Sequence, residues 1–230
     1  MQLKRFLFFA AICSFLFPAT GFIHAQNLQS VLSRMDAAAA KFRNTSADVE
    51  FSSIVPPLPD PEVQKGTVYY QREGSTYKWG VHIDTDDGQA APKVLVCCID
   101  GSIKLYEKLP DQVTTLSKLS QYESWFMLGF GASGKELAER WDITYDGPET
   151  IDGVKTEKLE LVPKDPNVKA KLPKVTLWMD ADRAVSVKQY FDQGKGYSRT
   201  CHYTNIKVND KLPKDAFTFA TDKKTTYLNK

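Results

Sequence analysis

The chain has 230 residues, with 30 Lys+Arg against 28 Asp+Glu, 42% hydrophobic and 12% aromatic. That ordinary globular composition excludes intrinsic disorder, a collagen-like repeat and a multi-span membrane protein. Lys4 and Arg5 make up the whole formal excess, so the chain after them balances at 28 against 28 and lacks the clustered basic surplus of a nucleic-acid binder.

Residues 1–25 read as a secretory signal peptide, cleaved near Ala25. Lys4-Arg5 form a positive start, and Phe6 to Phe17 is an apolar run too short to cross a bilayer comfortably. Pro18 and Gly21 end it. Cys13 does not suit lipidation, because Ile12 occupies the place of the small residue needed before it. The remaining 26–230 suit a single domain with one core, exported to the periplasm and monomeric.

Residues 27–43 predict an amphipathic helix. Leu28, Val31, Leu32, Met35, Ala38, Ala39 and Phe42 follow the three-four spacing, and Asn27 supplies a cap. Strand 46–55 follows, then the stiff loop Pro56-Pro57-Leu58-Pro59-Asp60-Pro61, which cannot continue a ladder. Residues 63–72 and 75–84 predict a hairpin, with Tyr77, Trp79, Val81 and Ile83 sharing one face. Asp84, Asp86 and Asp87 read as a solvated turn, since the run ends at Gly88 without the further ligands of a calcium loop. Residues 94–99 and 103–109 predict a second hairpin turning at Asp100-Gly101, with a short strand at 113–116 beside it.

Leu119, Tyr122, Phe126 and Met127 mark a central helical segment, and 135–140 a second helical turn. Strands return at 141–146, 154–163, 173–180, 183–193 and 197–208, with turns at Asp146-Gly147, Asp152-Gly153, Asp180 to Asp182 and Gln193-Gly194. Short turns between neighbours imply antiparallel pairing. The expected fold class is α+β: one curved antiparallel sheet, a long N-terminal helix and a short central helical segment.

No local signature of catalysis stands out. His82 and His202 fall on strands, and there is no Gly-x-Ser-x-Gly elbow and no His-Glu-x-x-His. Gly129-Phe-Gly131-Ala-Ser-Gly134-Lys135-Glu136 fits Gly-x-Gly-x-x-Gly in letters. The segment before it has a helical pattern rather than a strand, and Glu136 stands where a magnesium-binding hydroxyl is needed. It reads instead as a close-packed connection, with Ser133 capping the next helix. A secreted hydrolase using His82 or His202 is the remaining enzymatic alternative. Cys97, Cys98 and Cys201 leave two readings open: a bridge from one of the adjacent pair to Cys201, or buried small hydrophobes. On a strand, Cys97 and Cys98 point to opposite faces, so a bond between them requires strain. No metal-ligand spacing and no cofactor motif occurs.

Soft motifs along the chain resemble the LolA-like periplasmic lipoprotein carriers, in particular the outer-membrane lipoprotein-sorting branch. They are Val68-Tyr-Tyr-Gln-Arg72 leading to Tyr77-Lys78-Trp79; Ile99-Asp-Gly101 leading to Leu105-Tyr106; Met127 to Gly134; Leu159 to Lys164; Val175 to Asp180; and Tyr203 to Lys207 leading to Phe217-Thr-Phe219. The resemblance implies a half-open β-barrel with helices as a lid, carrying lipoprotein acyl chains towards the outer membrane. It implies an inner-membrane release complex and an outer-membrane acceptor as partners, although the balanced charge weakens any claim about that docking. Arg72 matches the family arginine that ties the lid to the empty barrel; here Glu73-Gly74 follows it instead of the usual proline.

Holding an acyl chain in water requires an apolar concavity, at about 0.8 kcal/mol per buried CH₂. Tyr77, Trp79, Trp125, Phe126, Phe130, Trp178 and Phe191 are the candidates to line it. Each alone is more often a core filler. As a set they exceed what two helices cover. A lipid- or lipoprotein-sensing regulatory domain on the same fold is the alternative.

Overall fold

A computed structural model describes residues 20–74, 76–99, 102–116 and 128–229. Helix α1 (Thr20–Ala39) buries Val31, Leu32, Met35 and Ala39 along one stripe. It begins seven residues before the expected Asn27. Ala and other apolar residues on both sides of that point sustain helix, so no cap is needed there. Bonds from Lys41 N to Ala38 O and from Phe42 N to Ala39 O tighten its last turn and satisfy carbonyls that an α-helix end leaves open.

Eleven strands follow before a final short one. They are β1 (Asn44–Ile54), β2 (Glu62–Glu73), β3 (Thr76–Asp86), β4 (Gln89–Ile99), β5 (Ser102–Glu107), β6 (Gln112–Leu116), β7 (Trp141–Ile151), β8 (Val154–Pro163), β9 (Lys174–Asp180), β10 (Val185–Gly194), β11 (Tyr197–Val208) and β12 (Thr226–Asn229). Short helices α2 (Gly134–Arg140) and α3 (Pro166–Lys169) lie between β6 and β7 and between β8 and β9. All twelve strands form one sheet in the order β12-β6-β5-β4-β3-β2-β1-β11-β10-β9-β8-β7. The pairing of β1 with β11, from Thr45↔Val208 to Ile54↔Ser198, joins its two halves. The edges β12 and β7 do not meet. The sheet is an open, curved half-barrel, the architecture that the sequence motifs imply.

Three details depart from the sequence reading. β4 reaches back to Gln89, because Asp87 and Gly88 both take positive φ (46° and 76°) and close a tight hairpin with β3. β7 runs through Asp146-Gly147, where a bulge opposite Lys158 absorbs the glycine instead of a turn. β12 pairs parallel with β6, the one parallel pair among the described strands. Its Thr-Tyr-Leu-Asn sequence carries too little hydrophobic alternation to announce a strand.

The core lies on the concave face. Val175, Leu177 and Met179 of β9 and Leu159 and Leu161 of β8 are fully buried, and α1 packs over them. Arg34 of α1 pairs with Glu157 of β8, whose other oxygen accepts the Tyr145 hydroxyl at 2.6 Å. On the outer face, residues 209–225 cross the sheet from β11 to β12. Gly80 permits this: a Cβ there would lie 2.0 Å from the Ala216 carbonyl oxygen. Farther on, Phe219 stacks on Tyr106 with ring centroids 5.2 Å apart. No described helix is long and apolar enough to cross a membrane.

Candidate functional site: two cavities and an arginine on the concave face

Strand alternation decides which side chains meet inside the curve. Phe51 of β1, Val68 and Tyr70 of β2, Trp79 and Val81 of β3, Gln189 and Phe191 of β10, and Arg199, Cys201 and Tyr203 of β11 face the same interior. They surround a cavity of about 330 Å³. Phe130, from the segment between residue 128 and α2, closes one side of it. Its ring stands edge-on to Tyr203 at 4.9 Å and lies 5.9 Å from Tyr70, geometries that suit aromatic quadrupoles.

The glycines around Phe130 let the segment lie flat on its neighbours. Gly129 and Gly131 have φ of 87° and 66°, and a Cβ on Gly131 would sit 2.4 Å from the Phe42 ring. The backbone pairs with the β10 edge, Gly131 N donating to Ala184 O at 2.8 Å and Ser186 N to Gly129 O at 2.7 Å. Gln189 Nε2 donates to Leu128 O, and Gln189 Oε1 accepts from the Tyr203 hydroxyl at 3.0 Å. Ser133 and Glu136 then form a reciprocal capping box at the start of α2. The segment is thus a packed connection, as expected, and the amides of Gly131, Ser133, Lys135 and Glu136 donate to protein acceptors.

Burial keeps the Cys201, Tyr70 and Tyr203 protons in place. It pushes the Cys201 thiol up to about 11 and raises the Tyr70 and Tyr203 phenols above their ordinary range. The Tyr70 hydroxyl and Arg199 Nε are buried without a hydrogen-bond partner.

A second cavity, of about 700 Å³, lies beyond the Tyr70–Phe130 wall. Tyr77, Leu128, Ala132, Leu137, Trp141 and Val168 supply its apolar lining, and Glu136, Glu139, Arg140 and Lys164 its polar part.

Arg72, at the end of β2, joins three elements beside this wall. Its guanidinium donates to Ala39 O of α1 at 3.1 Å, to Gly131 O at 2.7 Å and to the Tyr77 hydroxyl at 3.1 Å. It also sits 5.3 Å from the centroid of the Tyr77 ring. A planar fork with several donors meets three acceptors in a way one ammonium cannot.

The sequence candidates therefore separate. Trp79, Phe130 and Phe191 meet in the smaller cavity, and Tyr77 lines the larger one. Trp178 lines neither. Val175, Leu177 and Met179 take the inward positions of β9, so Trp178 points to the opposite face. There Lys188 and Lys158 lie 4.8 Å and 5.7 Å from its ring, and its Nε1 donates to Glu149 at 2.8 Å. Trp125 and Phe126 lie outside the described residues. Phe51, Tyr70, Arg199, Cys201 and Tyr203 also line the smaller cavity and are not among the lining candidates that the sequence offers. Their alternation along β1, β2 and β11 was visible, but nothing in it marks which face becomes concave.

Cys201 is a free, buried thiol and Cys97 is disulfide-bonded, so Cys97 does not bridge to Cys201. His202 pairs with Asp152 at 2.5 Å and His82 stands edge-on to Tyr69, both away from the cavity face.

No family model matches the chain. An uncharacterized protein of Methanocaldococcus jannaschii is 23% identical over 200 residues, covering 86% of this chain and 53% of that protein. The chain thus spans about half the length of the curated relative it matches. Among solved structures, an uncharacterized conserved protein from Thermus thermophilus shares the fold with a TM-score of 0.55, at 14% identity over 89% of this chain and 100% of that one. MucB does so with a TM-score of 0.52, at 14% identity over 85% of this chain and 63% of MucB.

Proposed function

We propose that this protein is a periplasmic carrier that takes up the acyl chains of lipoproteins or free lipids and moves them towards the outer membrane, without covalent chemistry. The observation that carries this reading is the largely apolar cavity of about 330 Å³ inside the half-barrel, walled by Phe51, Trp79, Phe130 and Phe191. Empty apolar space is costly in a protein interior, because its lining forfeits dispersion contacts. A hydrocarbon tail restores them and leaves water at the same time.

In this scheme the 128–133 segment is the movable wall and Arg72 its latch. Loading displaces Phe130, which joins the two cavities, and the carbonyls of Ala39 and Gly131 are where Arg72 regains its hold after release. A release complex at the inner membrane and an acceptor at the outer membrane are the partners such a cycle requires. The test is lipid content. Protein purified natively from its own periplasm is expected to carry extractable lipid and to release a fluorescent fatty acid on competition. Repeated absence of both overturns the reading.

A second reading, a lipid-sensing regulatory domain, draws on the likeness to MucB, a protein solved in complex with MucA. Retention of a membrane-protein partner by the lipid-free form, lost on lipid loading, favours that reading over the carrier.

A further inference from the structure

Of all the side chains lining the smaller cavity, Arg199 alone carries a formal charge. It projects inward because it shares the parity of Cys201 and Tyr203 on β11, and it pairs across the ladders with Ser53 of β1 and Phe191 of β10. The exposed Gln193 lines the cavity near it, so this end of the strands is the cavity's wet end. The guanidinium carbon lies 4.6 Å from the centroid of Phe51, which holds the plane of the side chain against the apolar wall.

No carboxylate among the described residues pairs with that charge. Among the described residues Arg199 makes no ion pair and no hydrogen bond, and its Nε is buried without an acceptor. Arg72, by contrast, has three acceptors. A buried guanidinium N–H left unpaired costs free energy that an anionic oxygen would recover, and a carboxylate or phosphate matches the fork in two bonds. The rest of the lining is neutral, since burial holds the Tyr70, Tyr203 and Cys201 protons in place. The cavity is therefore amphiphilic along its length: aromatic and aliphatic within, cationic at one end.

We propose that Arg199 is a head-group site, which binds the anionic head of a single-chain amphiphile whose tail lies between Phe51, Phe191 and Trp79. The proposal rests on the carrier reading and specifies its cargo. The volume supports one chain: about 330 Å³ is at the low end of the roughly 300–1,000 Å³ of small-ligand pockets, too little for several tails at once. The shared chemistry is a terminal anionic oxygen pair, which a fatty carboxylate and an alkyl phosphate both present.

The experiment is competition for a neutral apolar dye, N-phenyl-1-naphthylamine, by palmitate, hexadecyl phosphate and hexadecanol, all below their aggregation limits. The whole protein is used, and Arg199→Met keeps the apolar stem against Phe51 while removing the charge. In the wild type at least one of the two anions is expected to displace the dye at about tenfold lower concentration than hexadecanol. Which anion is stronger tells a fatty acid from a phosphate ester. R199M is expected to erase that preference, read as the ratio of anion to hexadecanol competition within the same variant, and R199K to retain part of it. Equal competition by all three amphiphiles in the wild type, or an undiminished preference in R199M, overturns the proposal and leaves the carrier reading standing. Absence of dye binding together with absence of any competition removes the carrier reading itself. If R199M does not fold, the wild-type comparison decides alone.

Discussion

Arg72 is placed where a side chain can report the state of the whole concave face. Its three hydrogen bonds run to α1, to the glycine segment and to Tyr77 on the neighbouring strand. Removing it leaves carbonyls of Ala39 and Gly131 without this donor, at about 1.5–3 kcal/mol for hydrogen bonds to a charged group. Arg72→Ala is therefore expected to lower unfolding free energy by that order and to speed entry and exit of the neutral dye in stopped-flow fluorescence. R72K is expected to resemble R72A, because one ammonium cannot span the three acceptors. Unchanged exchange rates in both variants would remove the latch role.

Cys201 gives a pH prediction at the same scale. Its thiol is buried and raised from 9.0 to about 11 by desolvation. Below the ordinary thiol value both folded and unfolded chains hold the proton, so the contribution is complete there. Between that value and about 11 the unfolded chain loses its proton first, and stability falls. Denaturant unfolding measured from pH 8 to pH 11 is expected to show a steeper decline in the wild type than in Cys201→Ala. The native thiol is also expected to resist maleimide at neutral pH and to react once unfolded.

Among the elements, strands were the most legible part of the chain. Alternation in Tyr77, Trp79, Val81 and Ile83 fixed a face of β3, and turn residues such as Asp152-Gly153 marked the hairpins. What alternation could not supply was orientation relative to the curve. Trp178 illustrates this: on β9 both faces are buried, so hydrophobicity did not separate the inward Leu177 from the outward Trp178. Arg199 was hidden for the opposite reason, since a charge on a strand reads as outward by default.

The glycine segment makes its own prediction. Gly131 combines positive φ with contact against Phe42, so a methyl group has nowhere to go. Gly131→Ala is expected to cost about 1–3 kcal/mol in thermal or denaturant unfolding, whereas Gly153→Ala, with open space around its Cβ, is expected to cost less. Similar losses at the two positions would mean that the packing of this segment on Phe42 contributes little.

For the molecule as a whole, the half-barrel has two edges, and the protein treats them differently. β7 is an end strand with many exposed positions, while β6 is covered by β12. That cover arrives by way of residues 209–225, and Thr225 reaches Asp111, 114 positions earlier, with a hydrogen bond of 3.1 Å. Gly80 sets how closely the crossing lies on the sheet. Gly80→Val is accordingly expected to lift residues around Ala216 and to raise amide exchange in both β12 and β6, detectable by mass spectrometry, with little change at β8 or β9. Uniform protection in the variant would show that the crossing is not what holds β12.

A contact spanning that much sequence forms late, because a long loop must close before any bond rewards it. Until then β6 presents a row of bare amides and carbonyls, the arrangement that recruits a strand from another molecule. Newly made chains are thus most vulnerable to sticking together during the interval when their hairpins have formed but the tail has not yet docked. Renaturation yield should decline as protein concentration rises, and a short peptide matching residues 226–229 with its flanks should restore it.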